Sequence, residues 1–329
     1  MIDTPPAVEL HVHVEGTLEP ELITELAARN GIALPYRDIE DLRARYAFHD
    51  LADFLALYYA NMAVLRTADD FAAMTRAYLR RAAAGGVRHV ELFVDPQAHL
   101  VRGVPLAAVV DGVAGALADD APGLGITTGL IACFLRDRPP AEAVDVLRAL
   151  LAADAPLLGI GLDSAEVGHP PGGFAEVFAL AAEAGLHRVA HAGEEGPAAY
   201  VTEALDVLGV ERIDHGIRSL DDPELVDRLV RDAVPLTVCP LSNVRLRCTP
   251  DLRDHPLATM LHRGLRVSVH SDDPAYFGGY VDDNHRAVAA ALGLTRDDQA
   301  RLAHHAVDAA FVSAERAAEL HAEVDAWRG

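Results

Sequence analysis

Short β-rich runs alternate with Ala/Leu-rich helical runs along the whole chain, and this alternation constrains its fold more than any other feature. The strand candidates are Val8–Val14, His89–Asp95, Ile126–Leu135, Leu157–Ser164, Arg188–Ala192, Arg212–His215, Leu236–Cys239 and Arg266–Ser271, eight in all. Between them, segments such as Phe174–Ala184, Tyr200–Leu208 and Pro223–Val230 carry helical apolar spacing. Strict alternation implies parallel βαβ units, and eight units are the count for a closed barrel rather than an open sheet. The predicted fold is therefore α/β, a (β/α)8 TIM-type barrel. Two regions exceed the minimal pattern: extra helices at about 35–85, with Phe54, Tyr58, Tyr59 and Phe71, and further C-terminal helices after Asn284. No linker or low-complexity tract interrupts the 329 residues, so a single domain is expected.

The net charge of -22 is opposite to what a phosphate-neutralising surface needs, which argues against nucleic-acid polymers and anionic membranes as partners. No run approaches the ~20 apolar residues of a membrane span, and the start, MIDTPPAVEL, lacks the basic-then-apolar order of a signal peptide. Cys133, Cys239 and Cys248 show neither zinc-ribbon nor redox spacing; an odd count without a disulfide framework fits a reducing, cytoplasmic setting. Lysine is absent, and arginine supplies all 28 formal positive charges. Schiff-base catalysis by lysine, a phosphate-loop lysine and a carbamylated lysine bridging two metals are thereby excluded.

The polar residues that stand out fall at the C-terminal ends of strand candidates, which converge on one mouth in a barrel. His11 and His13 lie two apart on strand one and face the same way, half of a metal site or a pair of ordinary half-buried histidines. His191 ends strand five and Glu194 opens the loop beyond it, placed to move protons or, more simply, to favour a helix start. Asp272 and Asp273 end strand eight; alternation sends them different ways, so one of them suits a metal and the other does not. His215 ends strand six, where it can orient or deprotonate a water. His11, His13, His191 and Asp272 together make a three-histidine, one-aspartate set that suits one zinc ion per chain, with iron or manganese open on ligand type alone.

This ordered set resembles the adenosine deaminase family of the amidohydrolase superfamily, from about Val8 to about Ser313: His-x-His, His-Ala-Gly-Glu at 191–194, Asp-His-Gly at 214–216 and Ser-Asp-Asp-Pro at 271–274. Finer motifs are similar to its adenine deaminase branch: His-Val-Glu-Gly-Thr-Leu-Glu-Pro at 13–20, Phe-Val-Asp-Pro-Gln at 93–97, Leu-Asp-Ser-Ala-Glu-Val-Gly at 162–168, and the stretches at 238–247 and 271–280. The resemblance implies hydrolytic deamination of a small aminopurine in purine salvage. It implies that His11, His13, His191 and Asp272 hold zinc, that His215 and Asp272 position the attacking water and help it lose a proton, that Glu194 protonates N1, and that Asp273 recognises N7. The cytidine-deaminase zinc motif, Pro-Cys-x-x-Cys, is absent.

Glu15 stands where adenosine deaminases usually carry Asp, and Ser164 where they carry Gly. Glu15, one alternation beyond His13, and Ser164, at the end of strand four, are both expected to line the pocket and narrow it on the N9 side, which favours adenine over adenosine. A deaminase of adenosine, of an N6-substituted adenine or of another adenine-containing metabolite shares the same catalytic set. A catalytically silent binding barrel is the reading from another class; it would be expected to have lost a ligand or Glu194, and none is lost.

Overall fold

The computed structural model describes residues 4–329. Eight strands form one parallel sheet in the order β1 to β8: β1 Ala7–His13, β2 Val87–Val94, β3 Thr127–Leu135, β4 Gly159–Asp163, β5 His187–Ala192, β6 Arg212–His215, β7 Pro235–Val238 and β8 Arg266–Val269. Each matches one of the eight sequence-predicted runs to within a few residues. The barrel closes where Asp272 bridges back to β1: the His13 amide donates to the Asp272 carbonyl (3.0 Å) and the Asp272 amide to that of His11 (3.0 Å). The seam is thus made by residues that carry the candidate site.

Strand interiors are apolar because both faces of a parallel barrel are covered. Ile160, Leu162, Val189, Ala190, Ile213, Leu236 and Val267 have no exposed surface. Helices begin where the sequence supplies their start signals. Thr67 and Asp70 form a reciprocal capping box at Ala68–Ala84, and Thr295 and Asp298 do so at Arg296–Ala309. Pro96 and Pro240 open helices directly beyond β2 and β7, and Pro274 opens one five residues after β8. Proline disfavours the helical region for the residue before it, and Asp95, Cys239 and Asp273 stay out of it (ψ 79°, 82° and 74°).

The extra segment after β1 holds four helices, Pro20–Asn30, Ile39–Ala44, Leu51–Asn61 and Ala68–Ala84. After β8, Arg296–Ala309 packs against β1 and β8, and Ala314–Arg328 packs on it in turn. No helix among the described residues is long and apolar enough to cross a membrane.

Candidate active site

His11 and His13 point into the mouth from β1, as alternation predicts. Glu9, two residues earlier, does not join them: a register shift between Glu9 and Val12 interrupts the alternation, and Glu9 accepts from Tyr78 (2.6 Å) instead. Nε2 of His191, at the end of β5, lies 3.1 Å from Nε2 of His11 and 3.2 Å from that of His13. Asp272 Oδ1 lies 3.4 and 3.5 Å from the same two nitrogens. All four residues are buried.

These separations test whether the set suits a metal. Ligand atoms ~2.0–2.1 Å from a tetrahedral zinc are about 3.3 Å from one another, the spacing seen here. Three imidazole nitrogens crowded this closely cannot all hydrogen-bond one another, and a shared cation resolves that conflict. The far sides of the rings are backed as ligands require. Thr237 Oγ1 meets His11 Nδ1 (3.0 Å) and donates to Asp214 Oδ1 (2.8 Å), while Asp214 Oδ2 lies 3.5 Å from His191 Nδ1. Burial pushes the Asp214 carboxyl up, against the pull of His11 and Arg212. Burial lowers the His13 pKa to about 4, which keeps this ring neutral, the form that binds metal.

His215, at the end of β6, places Nε2 at 3.6 Å from Glu194 Oε2 and 3.7 Å from Asp272 Oδ2. Burial and the adjacent Asp272 push the Glu194 carboxyl well above the ordinary carboxylate range, which favours its protonated form. Asp273 is raised likewise, by burial and then by Asp272. Oε1 of Glu194 and Oδ1 of Asp273 have no hydrogen-bond partner in the protein. Ser164, His215 and Asp272 sit at positive φ (70°, 64° and 64°), three of the six non-glycine residues that do so among the described residues.

These side chains line one cavity with about 380 Å³ of non-atom space, part of it open to solvent. Its apolar wall comes from the extra helix Leu51–Asn61 through Leu51, Phe54, Leu55, Tyr58 and Tyr59. Ser164 lines it as expected, 3.0 Å from the Tyr59 hydroxyl. Glu15 does not. The strand has ended before it, and Glu15 lies fully buried in a short 3-10 turn, accepting from His99 (2.7 Å) and the Asp95 amide (3.1 Å). Strand alternation cannot be carried past His13 into a turn, so Glu15 holds the end of β2 rather than narrowing the pocket.

Three residues not singled out from the sequence matter here. Asp95 and Asp163 line the cavity on the far side of His13, with Oδ atoms 4.0 and 3.5 Å from its Nδ1. Burial pushes both carboxyls up, and repulsion between them adds to this at Asp95. Their position at the ends of the β2 and β4 runs was the available signal. Glu166 accepts from the amides of Gly193 (2.6 Å), Glu194 (3.0 Å), Glu195 (2.9 Å) and Gly196 (2.7 Å), a ring of donors that shapes the loop carrying Glu194. A Cβ at Gly196 would overlap this carboxylate, and one at Gly16 would overlap Asp273.

A parallel eight-stranded barrel with three imidazoles and a carboxylate converging at its mouth defines an amidohydrolase-type enzyme with a site able to hold a metal. The family model for adenosine deaminase matches residues 6–327, and the chain belongs to that family. It is 58% identical over 98% of its length, and 96% of the relative's, to the adenine deaminase of Streptomyces coelicolor. Its fold superposes with a TM-score of 0.98 on the crystal structure of adenine deaminase from Arthrobacter aurescens, at 61% identity and 98% and 99% coverage of the two chains. An amidohydrolase from Burkholderia ambifaria solved with bound zinc gives a TM-score of 0.90 at 30% identity, covering 98% and 90%.

Proposed function

We propose that this chain hydrolyses free adenine to hypoxanthine and ammonia with one zinc ion per chain, a purine salvage reaction. The observation that carries the reading is 58% identity, across nearly the full length of both chains, to a protein named adenine deaminase. The site's chemistry agrees with it. His11, His13, His191 and Asp272 would hold the ion, and when bound there zinc supplies the Lewis acidity that makes water a nucleophile near pH 7. Glu194, protonated in its buried position, delivers a proton to N1, which makes C6 electrophilic. His215 and Asp272 flank the attacking water. Asp273, also protonated, donates to N7. Tyr58, Phe54 and Leu55 give the base an apolar wall and exclude bulk water.

The preference for the free base rests on a different part of the wall from that expected of Glu15. Both Asp163 oxygens and Oδ1 of Asp95 lack hydrogen-bond partners. The N9–H of adenine can donate to such a carboxyl; adenosine carries a sugar carbon at that position. A buried acceptor left without its donor costs ~1–3 kcal/mol, roughly 5- to 150-fold in kcat/KM. Comparison of kcat/KM for adenine, adenosine and N6-methyladenine on zinc-replete enzyme tests the assignment. Equal or greater efficiency with adenosine or N6-methyladenine would overturn it.

A further inference from the structure

Asn243 and His255 have no part in the reaction as described, yet they join His215 to a backbone amide through a buried chain of hydrogen bonds. The Leu257 peptide nitrogen lies 3.1 Å from His255 Nδ1. A peptide N–H only donates, so Nδ1 of His255 carries a lone pair and its proton sits on Nε2. Imidazolium at His255 would set two hydrogens against each other; burial, which lowers its pKa to about 4, favours the same neutral form. His255 Nε2 lies 3.1 Å from Oδ1 of Asn243, the end of that amide able to accept. The Asn243 nitrogen therefore faces the other way, 3.3 Å from Nδ1 of His215. It has only hydrogens to offer, so Nδ1 of His215 accepts, and the His215 proton is on Nε2.

The relay is held rigidly at both ends. The Asn243 amide donates to the Cys239 carbonyl (2.9 Å) and its carbonyl accepts from Thr249 (3.0 Å), which fixes its backbone just beyond β7. His255 precedes Pro256 in an extended conformation (φ -65°, ψ 131°) and is almost fully buried.

We infer that Asn243 and His255 are positioning residues that lock His215 in its Nε2–H tautomer, so that His215 gives a hydrogen bond into the cavity rather than taking a proton from it. Nε2 stands 3.6 Å from Glu194 and 3.7 Å from Asp272, too far for a direct hydrogen bond, so its N–H is free for a water resting against all three groups from the cavity side. That water accepts from His215. Its own proton then goes to Asp272 Oδ2 and on to the departing amine, while Glu194 gives one proton to N1 and regains one from the hydroxyl at C6, so the enzyme ends as it began. This assignment rests on the reading of His215 as flanking the attacking water. The tautomer itself is a property of the resting enzyme, measured without substrate, so it can fail while the deaminase reading stands.

The test is a long-range 1H–15N spectrum of imidazole-labelled, zinc-loaded enzyme, with His215 identified by the signals missing from H215Q. The expected wild-type result is a proton on Nε2 of His215; a proton on Nδ1 overturns the inference. In N243D the introduced carboxylate accepts from both rings, so the His215 proton should move to Nδ1. A wrong tautomer of a catalytic histidine costs up to about 10⁴-fold, and a fall of about 10²- to 10³-fold in kcat is expected, with KM and zinc content within about threefold of wild type. A moved proton with kcat within about threefold of wild type overturns the inference. Should N243D not fold, H255Q and H255E decide the same point. The glutamine amide can accept from Leu257 and donate to Asn243, keeping the polarity; the glutamate carboxylate can only accept, which turns the Asn243 amide round. H255Q should keep Nε2–H at His215 and lose less than about tenfold in kcat, and H255E should lose about 100-fold with the tautomer reversed. Equal losses in both with the tautomer unchanged reduce the relay to packing and overturn it.

Discussion

The proposed mechanism assigns proton transfer to Glu194 and metal binding to the four candidate ligands, and single substitutions separate the two. E194Q keeps the shape of the side chain and its place in the loop but cannot deliver a proton. It should lower kcat by ~10²- to 10⁴-fold while the zinc content stays at one per chain; near-normal kcat would remove Glu194 from the mechanism. H191A deletes one of the nitrogens crowded around the common centre and should lose zinc, whereas H215A should keep zinc and lose rate. Equal zinc retention in the two variants would refute that division. Asp214 acts one step further out, behind His191 and, through Thr237, behind His11. D214N weakens that support without touching a ligand, and competition with a chelator should show zinc affinity lowered by ~10- to 100-fold. Unchanged affinity would reduce the Asp214 contacts to packing.

At the scale of the element, the loop at 193–196 is fixed by one carboxylate. Four amides converge on Glu166, each a hydrogen bond to a charged acceptor worth ~1.5–3 kcal/mol. E166Q presents an amide whose NH2 faces donors, so at least one of these bonds becomes a clash. The expected outcome is a kcat lowered by about 10- to 100-fold with zinc retained, and faster amide hydrogen exchange confined to this loop. Wild-type kcat in E166Q would mean that the loop is held by other contacts. The sequence could not show this clamp. Residues ending strands were legible because β-rich runs terminate in polar residues: His191, His215, Asp272 and Asp273 were read from that pattern, and the structure brings them together with His11, His13 and Glu194. Glu166 lies three residues past the end of β4, in a loop with no periodicity, and it acts on backbone rather than side chains. Glu15 fails for the related reason that alternation was extended into a turn. Register within β1 was hidden too, since the shift that removes Glu9 from the face of His11 and His13 leaves no mark on the apolar pattern. The extra helices were foreseen as elements, but their use as the apolar wall of the cavity follows from how they dock.

At the scale of the molecule, the barrel is cross-tied beneath the site by an ion pair. Arg212 on β6 donates to Glu91 on β2 at 2.7 Å; these strands are four apart in the sheet order, so the pair crosses the interior. Both side chains have no solvent exposure, and Arg212 also donates to the Leu10 and Ala309 carbonyls, which ties β1 and the C-terminal helices to the same point. R212M keeps most of the volume and strands a buried carboxylate, at a cost of about 3–5 kcal/mol. The pH dependence follows from Glu91. Burial alone pushes its carboxyl up, but Arg212, with His89 and the Phe311 amide, outweighs this and holds it below the ordinary value. In the wild type its contribution is therefore complete above the unfolded value, about 4.3, and fades as pH falls below it. In R212M the main opposing charge is gone and burial prevails. Stability is then lost as pH rises through the ordinary carboxylate range, because the unfolded chain releases that proton more readily. The gap between wild type and R212M in urea unfolding of the zinc-loaded proteins should widen from pH 4.5 to pH 7, and R212M/E91L, which removes both charges, should recover most of it. A deficit equal at the two pH values, or no recovery in the double variant, would show that Arg212 acts through its carbonyl contacts rather than through Glu91.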